Sequence, residues 1–451
     1  MSEFEFQEED KREFRRKRRL RNQILAYVSL IVILAVVSVG GYFGIKAVST
    51  SVTEKKQQEE MEVAAAVAEQ VREEMTESSE VEEETVVEEE TTTEIVVEFT
   101  EEDLLNEIVE SCISEMSLED RVAGLFMITP EALTGVDKAV KAGDGTKEAL
   151  SKYPVGGLIY FEKNIQSKEQ ITEMLANTTS MSKYPIFLGV DEEGNDIARV
   201  AKALKLNKID SCATIGESGD ANKAYEAYKT VGSYLMEYGF DVNFAPVADV
   251  LTNADNEAIG KRSFGSDADV VSSMVASSIK GLEEAGVTAC MKHFPGQGDA
   301  NGDTHDGIAT TERTLEQLRE TELKPFASGI EAGAQMIMIG HASYPSITGD
   351  NTPASLSKDI ITDILREELG YNGVVITDAL NMSAVSEYYD SATAAVMALK
   401  AGADMVLMPE NFEEAYQGVL DAVADGTISE ARINDSLSRI YKIKYKETVD
   451  K

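Results

Sequence analysis

The chain is 451 residues long, enough for two or three domains or for one large α/β barrel with appendages. Its 42 Lys and Arg stand against 81 Asp and Glu, a formal net charge of -39, so the long-range field repels phosphate backbones and speaks against nucleic acid as a partner. A 43% hydrophobic content excludes whole-chain disorder and collagen-like repeats. Cys112, Cys212 and Cys290 contain no CxxC pair, which argues against a disulfide framework or a cysteine zinc site, and Cys290, inside an apolar run, reads as a core residue.

In chain order, a basic cluster at Lys11 to Arg21 closes the first segment, residues 1–23. It is followed by the charge-free stretch Ile24 to Ile45, long enough to cross about 30 Å of hydrocarbon at about 1.5 Å per residue. The expectation is a single transmembrane anchor over 24–45, favoured over a cleaved signal peptide or a buried helix by its length and its lack of a small-residue cleavage pattern. The basic cluster would stay in the cytoplasm as a topology signal, and everything after Lys46 would lie outside the cell membrane. Residues 46–103 are dominated by Glu, Thr and Val, as in VEEETVVEEETTTE, and read as a self-repelling, extended acidic stalk.

From about Leu104 the composition turns globular, and a catalytic-domain-sized region of 104–446 alternates apolar β-rich runs with helical patterns. Eight such runs occur: GLFMIT, VGGLIYF, PIFLGVD, FDVNFAPV, VTACMKHF, AQMIMIGHA, GVVITDAL and ADMVLMP. Continuous apolar strands are strands covered on both faces, as in a parallel sheet. Between them, Ala224, Tyr228, Val231 and Leu235 share a helical face before Gly239. Thr314 with Gln317 reads as a capping box, and Ile360, Ile361, Ile364 and Leu365 precede Gly370. Eight βα units predict a (β/α)8 TIM barrel rather than a doubly wound open sheet.

Barrel enzymes gather their chemistry at the C-terminal ends of the strands. Asp191 ends the third run, Lys292 and His293 the fifth, His341 the sixth and Asp378 the seventh. Any one of these could be a helix N-cap, but five at one mouth point to a site. The loop KHFPGQGDANGDTHDG, Lys292 to Gly307, is the richest stretch. Its glycines resemble a phosphate cradle only superficially, because no dinucleotide fingerprint follows. A divalent metal held by His293, His305, His341 and carboxylates is a better rival, although no HxH or HExxH spacing supports it. Asp303 beside His305 reads as a carboxylate that orients an acid/base imidazole.

The sequence resembles glycoside hydrolase family 3, in its single-domain bacterial β-N-acetylhexosaminidase branch, over roughly Leu104 to Tyr445. The motifs that carry the resemblance are LGVDEEG (Leu188 to Gly194), GKRSFG (Gly260 to Gly265), KHFPGQGDANGDTH (Lys292 to His305) and ITDALNM (Ile376 to Met382). The resemblance implies Asp378 as nucleophile, His305 as general acid/base and Asp303 as its partner. It also implies that Asp191, Arg262, Lys292 and His293 bind the sugar. The sequence departs from the family where Asn195 and Asp196 replace a second Gly and often Arg, which puts the local turn in doubt. The chain ends soon after the eighth run, without the second αβα domain that supplies a glutamate acid/base in the β-glucosidase branch, consistent with His305 in that role.

The implied activity is a membrane-anchored retaining exo-β-N-acetylglucosaminidase that acts outside the cytoplasm on N-acetylglucosamine-containing glycans or muropeptides. No cofactor and no metal are expected. Phosphorolysis on the same site, a metal-dependent barrel hydrolase and a non-catalytic glycan-binding protein are the rivals.

Overall fold

The computed structural model describes residues 100–449, so the anchor and nearly all of the stalk fall outside the described residues. Among the described residues no helix is long and apolar enough to cross a membrane. The helix Glu101–Glu115 takes in the last three residues assigned to the stalk. Its acidic first turn, Glu101, Glu102 and Asp103, complements the positive end of the helix dipole. The buried Ile108, Val109 and Ile113 dock it against the final helix, Glu430–Val449.

Each apolar run yields one strand: β1 Phe126–Ile128, β2 Gly157–Tyr160, β3 Phe187–Val190, β4 Val242–Asn243, β5 Thr288–Phe294, β6 Met336–Ile339, β7 Val374–Thr377 and β8 Val406–Leu407. All their residues are buried, as continuous apolar runs require. The strands pair in parallel in the order β8-β1-β2-β3-β4-β5-β6-β7, each beside its neighbour in the chain. The two ends of this sheet meet, because Ile376 of β7 bridges Met405. Met405 N donates to Val375 O (3.0 Å) and Thr377 N to Met405 O (3.1 Å). An open doubly wound sheet would reverse its strand order in the middle. This one closes into the eight-stranded barrel that the sequence predicts.

The seam between β7 and β8 is fixed by a buried acid. Asp404 accepts from Val375 N (2.9 Å) and ion-pairs with Arg366 and with Arg439 (3.1 Å), which ties the last helix to the closing strands. Inside the barrel, a Cβ on Gly189 would lie 2.5 Å from Met127 Cε and 2.9 Å from the Phe244 ring. Glycine leaves β3 the room those side chains need to fill the interior.

The helices stop where the sequence says they should. Helix Ala221–Tyr238 buries Ala224, Tyr228, Val231 and Leu235, and ends at Gly239 in the left-handed conformation, φ 99°. Thr314 and Gln317 form the capping box that opens Leu315–Glu320. Asp359–Glu368 is wound wider than an α-helix, yet buries the expected Ile360, Ile361, Ile364 and Leu365. Because every βα unit runs the same way, the loops after the eight strands gather at one face.

Candidate active site

The floor of that face is a chain of buried charges. After β3 the backbone makes a small antiparallel turn, Glu192–Gly194 with Ile197–Ala198. Asn195 sits at its tip with φ 45°, a left-handed conformation that Asn tolerates, so the departure from the family's glycine keeps the turn. The turn presents Asp191 and Glu193 to Lys292 at the end of β5. Lys292 Nζ donates to Asp191 Oδ1 at 2.7 Å and lies 2.6 Å from Glu193 Oε1. Glu193 also accepts a two-pronged bond from Arg262, Nε to Oε2 at 2.8 Å and Nη2 to Oε1 at 2.9 Å. Burial alone would raise the Glu193 carboxyl, but the Arg262 and Lys292 cations outweigh it and hold it far below the usual range.

His293 stands next to Lys292, and the peptide between them is cis. Its Nδ1 lies 2.7 Å from Asp249 Oδ2, and its Nε2 faces Arg262 Nη2 at 3.4 Å. Asp249 is fully buried and accepts from Gln297 N (2.8 Å) as well, so it fixes both the imidazole and the start of the following loop. The Asp249 carboxylate assigns the proton to Nδ1 and leaves the Nε2 lone pair to Arg262.

Asp378 follows β7. Its backbone N–H donates to Ile339 O (2.8 Å), and its Oδ1 accepts from Ala379 N (2.8 Å). Burial pushes this carboxyl up, but His341, His293, the Ala379 N–H and Lys292 together bring it below its ordinary value. His341 is itself buried, and burial pushes its imidazole down, toward the neutral form. Its Nε2 lies 2.9 Å from Ala379 O and its Nδ1 2.8 Å from Ser355 Oγ, so it braces the segment that carries Asp378.

The Asp303–His305 pair is exposed where the floor is closed. Asp303 Oδ1 accepts from the His305 backbone N–H (2.9 Å) and lies 2.8 Å from its Nδ1. Burial raises Asp303, yet these two bonds from His305 outweigh it and lower its pKa. The His305 side chain is 67% exposed. Its Nε2 therefore stays available, once the Nδ1–H is given to Asp303, for a proton to cross to or from a substrate oxygen. The loop is tied to the segment after Asp378, where Ala384 N donates to Thr304 O at 3.2 Å, and so lies over the same mouth.

All seven residues singled out from the sequence thus fall on one face. Asp191, Arg262, Lys292 and His293 form one connected network, Asp378 is within electrostatic reach of Lys292, and Asp303 with His305 sits on the loop above. The three histidines each have a non-metal partner, and among the described residues no cluster of His, Cys, Asp or Glu is arranged to hold a metal ion. Sequence reasoning missed Glu193 and Asp249. Glu193 carries a readable signal, since it lies two residues from Asp191 on an extended segment and so faces the same side. Asp249 is a lone acid inside the apolar stretch PVADV, two residues past the point where the fourth run was ended.

A strand-end carboxylate near the buried Lys292, with an imidazole–carboxylate pair on a neighbouring loop, gives this barrel mouth side chains of the kind that hydrolytic chemistry uses. Residues 117–443 match the glycosyl hydrolase family 3 N-terminal domain, and the chain belongs to that family. A β-hexosaminidase of Idiomarina loihiensis is 35% identical over 64% of this chain and 88% of its own length. β-Hexosaminidase A of Pseudoalteromonas piscicida is 33% identical over 66% of this chain, which spans only 54% of that protein. Among solved structures, a family 3 β-N-acetylglucosaminidase from Paenibacillus sp. aligns with TM-score 0.70 and 34% identity over 74% of this chain and 64% of its own. These relatives support a glycoside hydrolase of the β-N-acetylhexosaminidase class.

Proposed function

We propose that the chain is a retaining exo-β-N-acetylglucosaminidase, anchored in the cell membrane by residues 24–45 and facing outward on its acidic stalk. Its substrates on this reading are terminal β-linked N-acetylglucosamine residues of peptidoglycan fragments or surface glycans. The observation that carries the reading is the pairing of an ionised Asp378 on a rigid strand end with a free imidazole edge of His305 on the loop above it.

In the first step a carboxylate oxygen of Asp378 attacks the anomeric carbon while His305 Nε2–H protonates the departing glycosidic oxygen. The glycosidic bond breaks and a glycosyl ester of Asp378 forms. In the second step the now neutral His305 takes a proton from water, which displaces Asp378 and releases the sugar with its configuration retained. Asp303 holds the imidazole in the orientation both steps need. Asp191, Arg262, Lys292 and His293 would hold the sugar's hydroxyls and acetamido group, with their polar atoms fixed in advance by Glu193 and Asp249.

The full chain in detergent should release p-nitrophenol from the β-N-acetylglucosaminide far faster than from the β-glucoside, with EDTA without effect. Equal rates on the two sugars would sink the acetamido preference, and inactivation by EDTA would favour a metal-dependent hydrolase. Stimulation by inorganic phosphate would reassign the acceptor. Digestion of the catalytic region by protease added to intact wall-stripped cells tests the outward topology.

A further inference from the structure

The loop that carries Asp303 and His305 has a neck. Asn301 and Thr310 pair across it, with Asn301 N donating to Thr310 O (2.8 Å) and Thr310 N to Asn301 O (3.0 Å). Directly beneath this rung lies a second one, made of side chains. Asp299 Oδ2 accepts from Thr311 Oγ1 at 2.6 Å, and its Oδ1 accepts from Thr252 Oγ1 at 3.3 Å and lies 3.2 Å from Arg313 Nε. The carboxylate therefore joins the incoming limb of the loop to its outgoing limb and to the loop after β4.

Under this rung sits Glu322, which is completely buried. Its Oε1 lies 3.4 Å from both Thr252 Oγ1 and Arg313 Nε, and its Oε2 has no hydrogen-bond partner among the described residues. Burial pushes Glu322 up to about 7, so below that value Arg313 is left to Asp299 instead of being shared between two full charges. The backbone is moulded to this acid. Gly296 has φ 114°, and a Cβ there would come within 2.7 Å of Glu322 Cβ. Tyr344 OH ties Gly296 O from the other side at 2.8 Å. Gly298 approaches the chain after β4 so closely that a Cβ would lie 1.9 Å from Val250 O.

We propose that Asp299, gripped by Thr252, Thr311 and Arg313 above the buried Glu322, is the positioning residue that sets the height of the acid/base loop over the barrel mouth. The proposal rests on the roles assigned above to His305 and Asp378. The anchor touches the limbs of the loop and none of the floor residues, so its loss strikes proton donation and spares the attack by Asp378. Substrates whose leaving group needs no proton separate the two steps.

The test is kcat/KM of the full chain on N,N′-diacetylchitobiose, a poor leaving group, and on the 2,4-dinitrophenyl β-N-acetylglucosaminide, a good one. Asp299→Asn should lower the first by at least about 10-fold and the second by less than about 3-fold, within the range that acid/base assistance spans. Thr311→Val, which removes one bond to Asp299, should give the same split at smaller size and covers the case that Asp299→Asn does not fold. In a His305→Ala background, Asp299→Asn should cost nothing further on chitobiose, because the group it positions is already gone. Equal losses on both substrates, unchanged chitobiose turnover, or a loss that adds to that of His305→Ala each overturns the proposal. A parent enzyme inert on both substrates, or a His305→Ala variant impaired equally on both, would instead overturn the reading beneath it.

Discussion

Glu193 at the barrel mouth and Glu283 near the opposite end are both largely removed from water, yet their carboxyls move in opposite directions. Burial pushes Glu283 up to about 7, and the bonds it accepts from Ala289 N and Gln335 offset only part of that. Glu193 suffers the same desolvation and still falls far below the usual range, because Arg262 and Lys292 face it directly. At Glu283 desolvation prevails, and at Glu193 the paired cations reverse it. Asp378 is also held below its ordinary value, by His341 first and then by His293, the Ala379 N–H and Lys292. On the proposed reading this leaves Asp378 ionised for attack and holds Arg262 and Lys292 in place before any sugar arrives.

Removing the carboxylate that does the chemistry is the harshest test of that contrast. Asp378→Ala should lower kcat by at least about 10⁴-fold, the scale seen when a catalytic nucleophile is lost. The loss should fall on activated and unactivated substrates alike, because both require attack at the anomeric carbon. A circular-dichroism melt close to that of the parent would show that the fold persists. Turnover within about 10-fold of the parent would remove Asp378 from the role of nucleophile.

Glu193→Gln tests the pairing itself. The amide keeps the shape but removes the charge that orients Arg262 and Lys292, while Asp191 still holds Lys292. Loss of a residue that fixes site groups from behind typically costs roughly 10–100-fold in activity, and that is the range expected for kcat/KM. The sign of the pH effect on stability also follows. A carboxyl depressed in the folded state contributes stability above the unfolded value, here 4.5, and loses it as pH falls further. Acidifying below pH 4.5 should therefore lower the Tm of the parent more than that of Glu193→Gln. Parallel curves would mean that the cations do not hold this carboxyl down.

The fold was legible because each strand is a buried apolar run, and eight of them leave a closed barrel as the economical arrangement. The site candidates were legible for a related reason, since Asp191 and Asp378 follow directly after β3 and β7, and Lys292 and His293 are polar residues near the end of β5. What stayed hidden are residues whose partners come from distant parts of the chain. Asp249 acts through His293 and Gln297, and Glu322 lies under a loop that comes well before it in the chain; neither contact leaves a local pattern. Glu193 was visible in the quoted motif but looked like one acid in a run of three. Its two-residue spacing from Asp191 was the signal, and in the structure the approach of Arg262 and Lys292 separates it from Glu192, which turns the other way to accept from Val200 N, Ala201 N and Tyr234 OH.

The mildest change, Glu283→Gln, tests the other half of the comparison. A carboxyl raised in the folded state leaves stability intact below its unfolded value of 4.5 and withdraws it as pH rises through the folded value of about 7. The parent should therefore have a lower Tm at pH 8 than at pH 5 from this source, and the neutral amide should reduce that difference. The oxygen of the substituted amide can still accept from Ala289 N, and Gln335 must turn its own amide to offer its oxygen to the new NH2 group, as it would to the protonated acid. Because Glu283 sits before β5 and the chemistry lies after it, kcat/KM on either class of substrate should stay within about 2-fold of the parent, the usual range for a change away from the site. An unchanged pH slope of Tm would mean that Glu283 ionises as freely in the fold as out of it. The low carboxyls at the mouth would then need no cations to oppose desolvation, and the contrast with Glu193 would lose its physical basis.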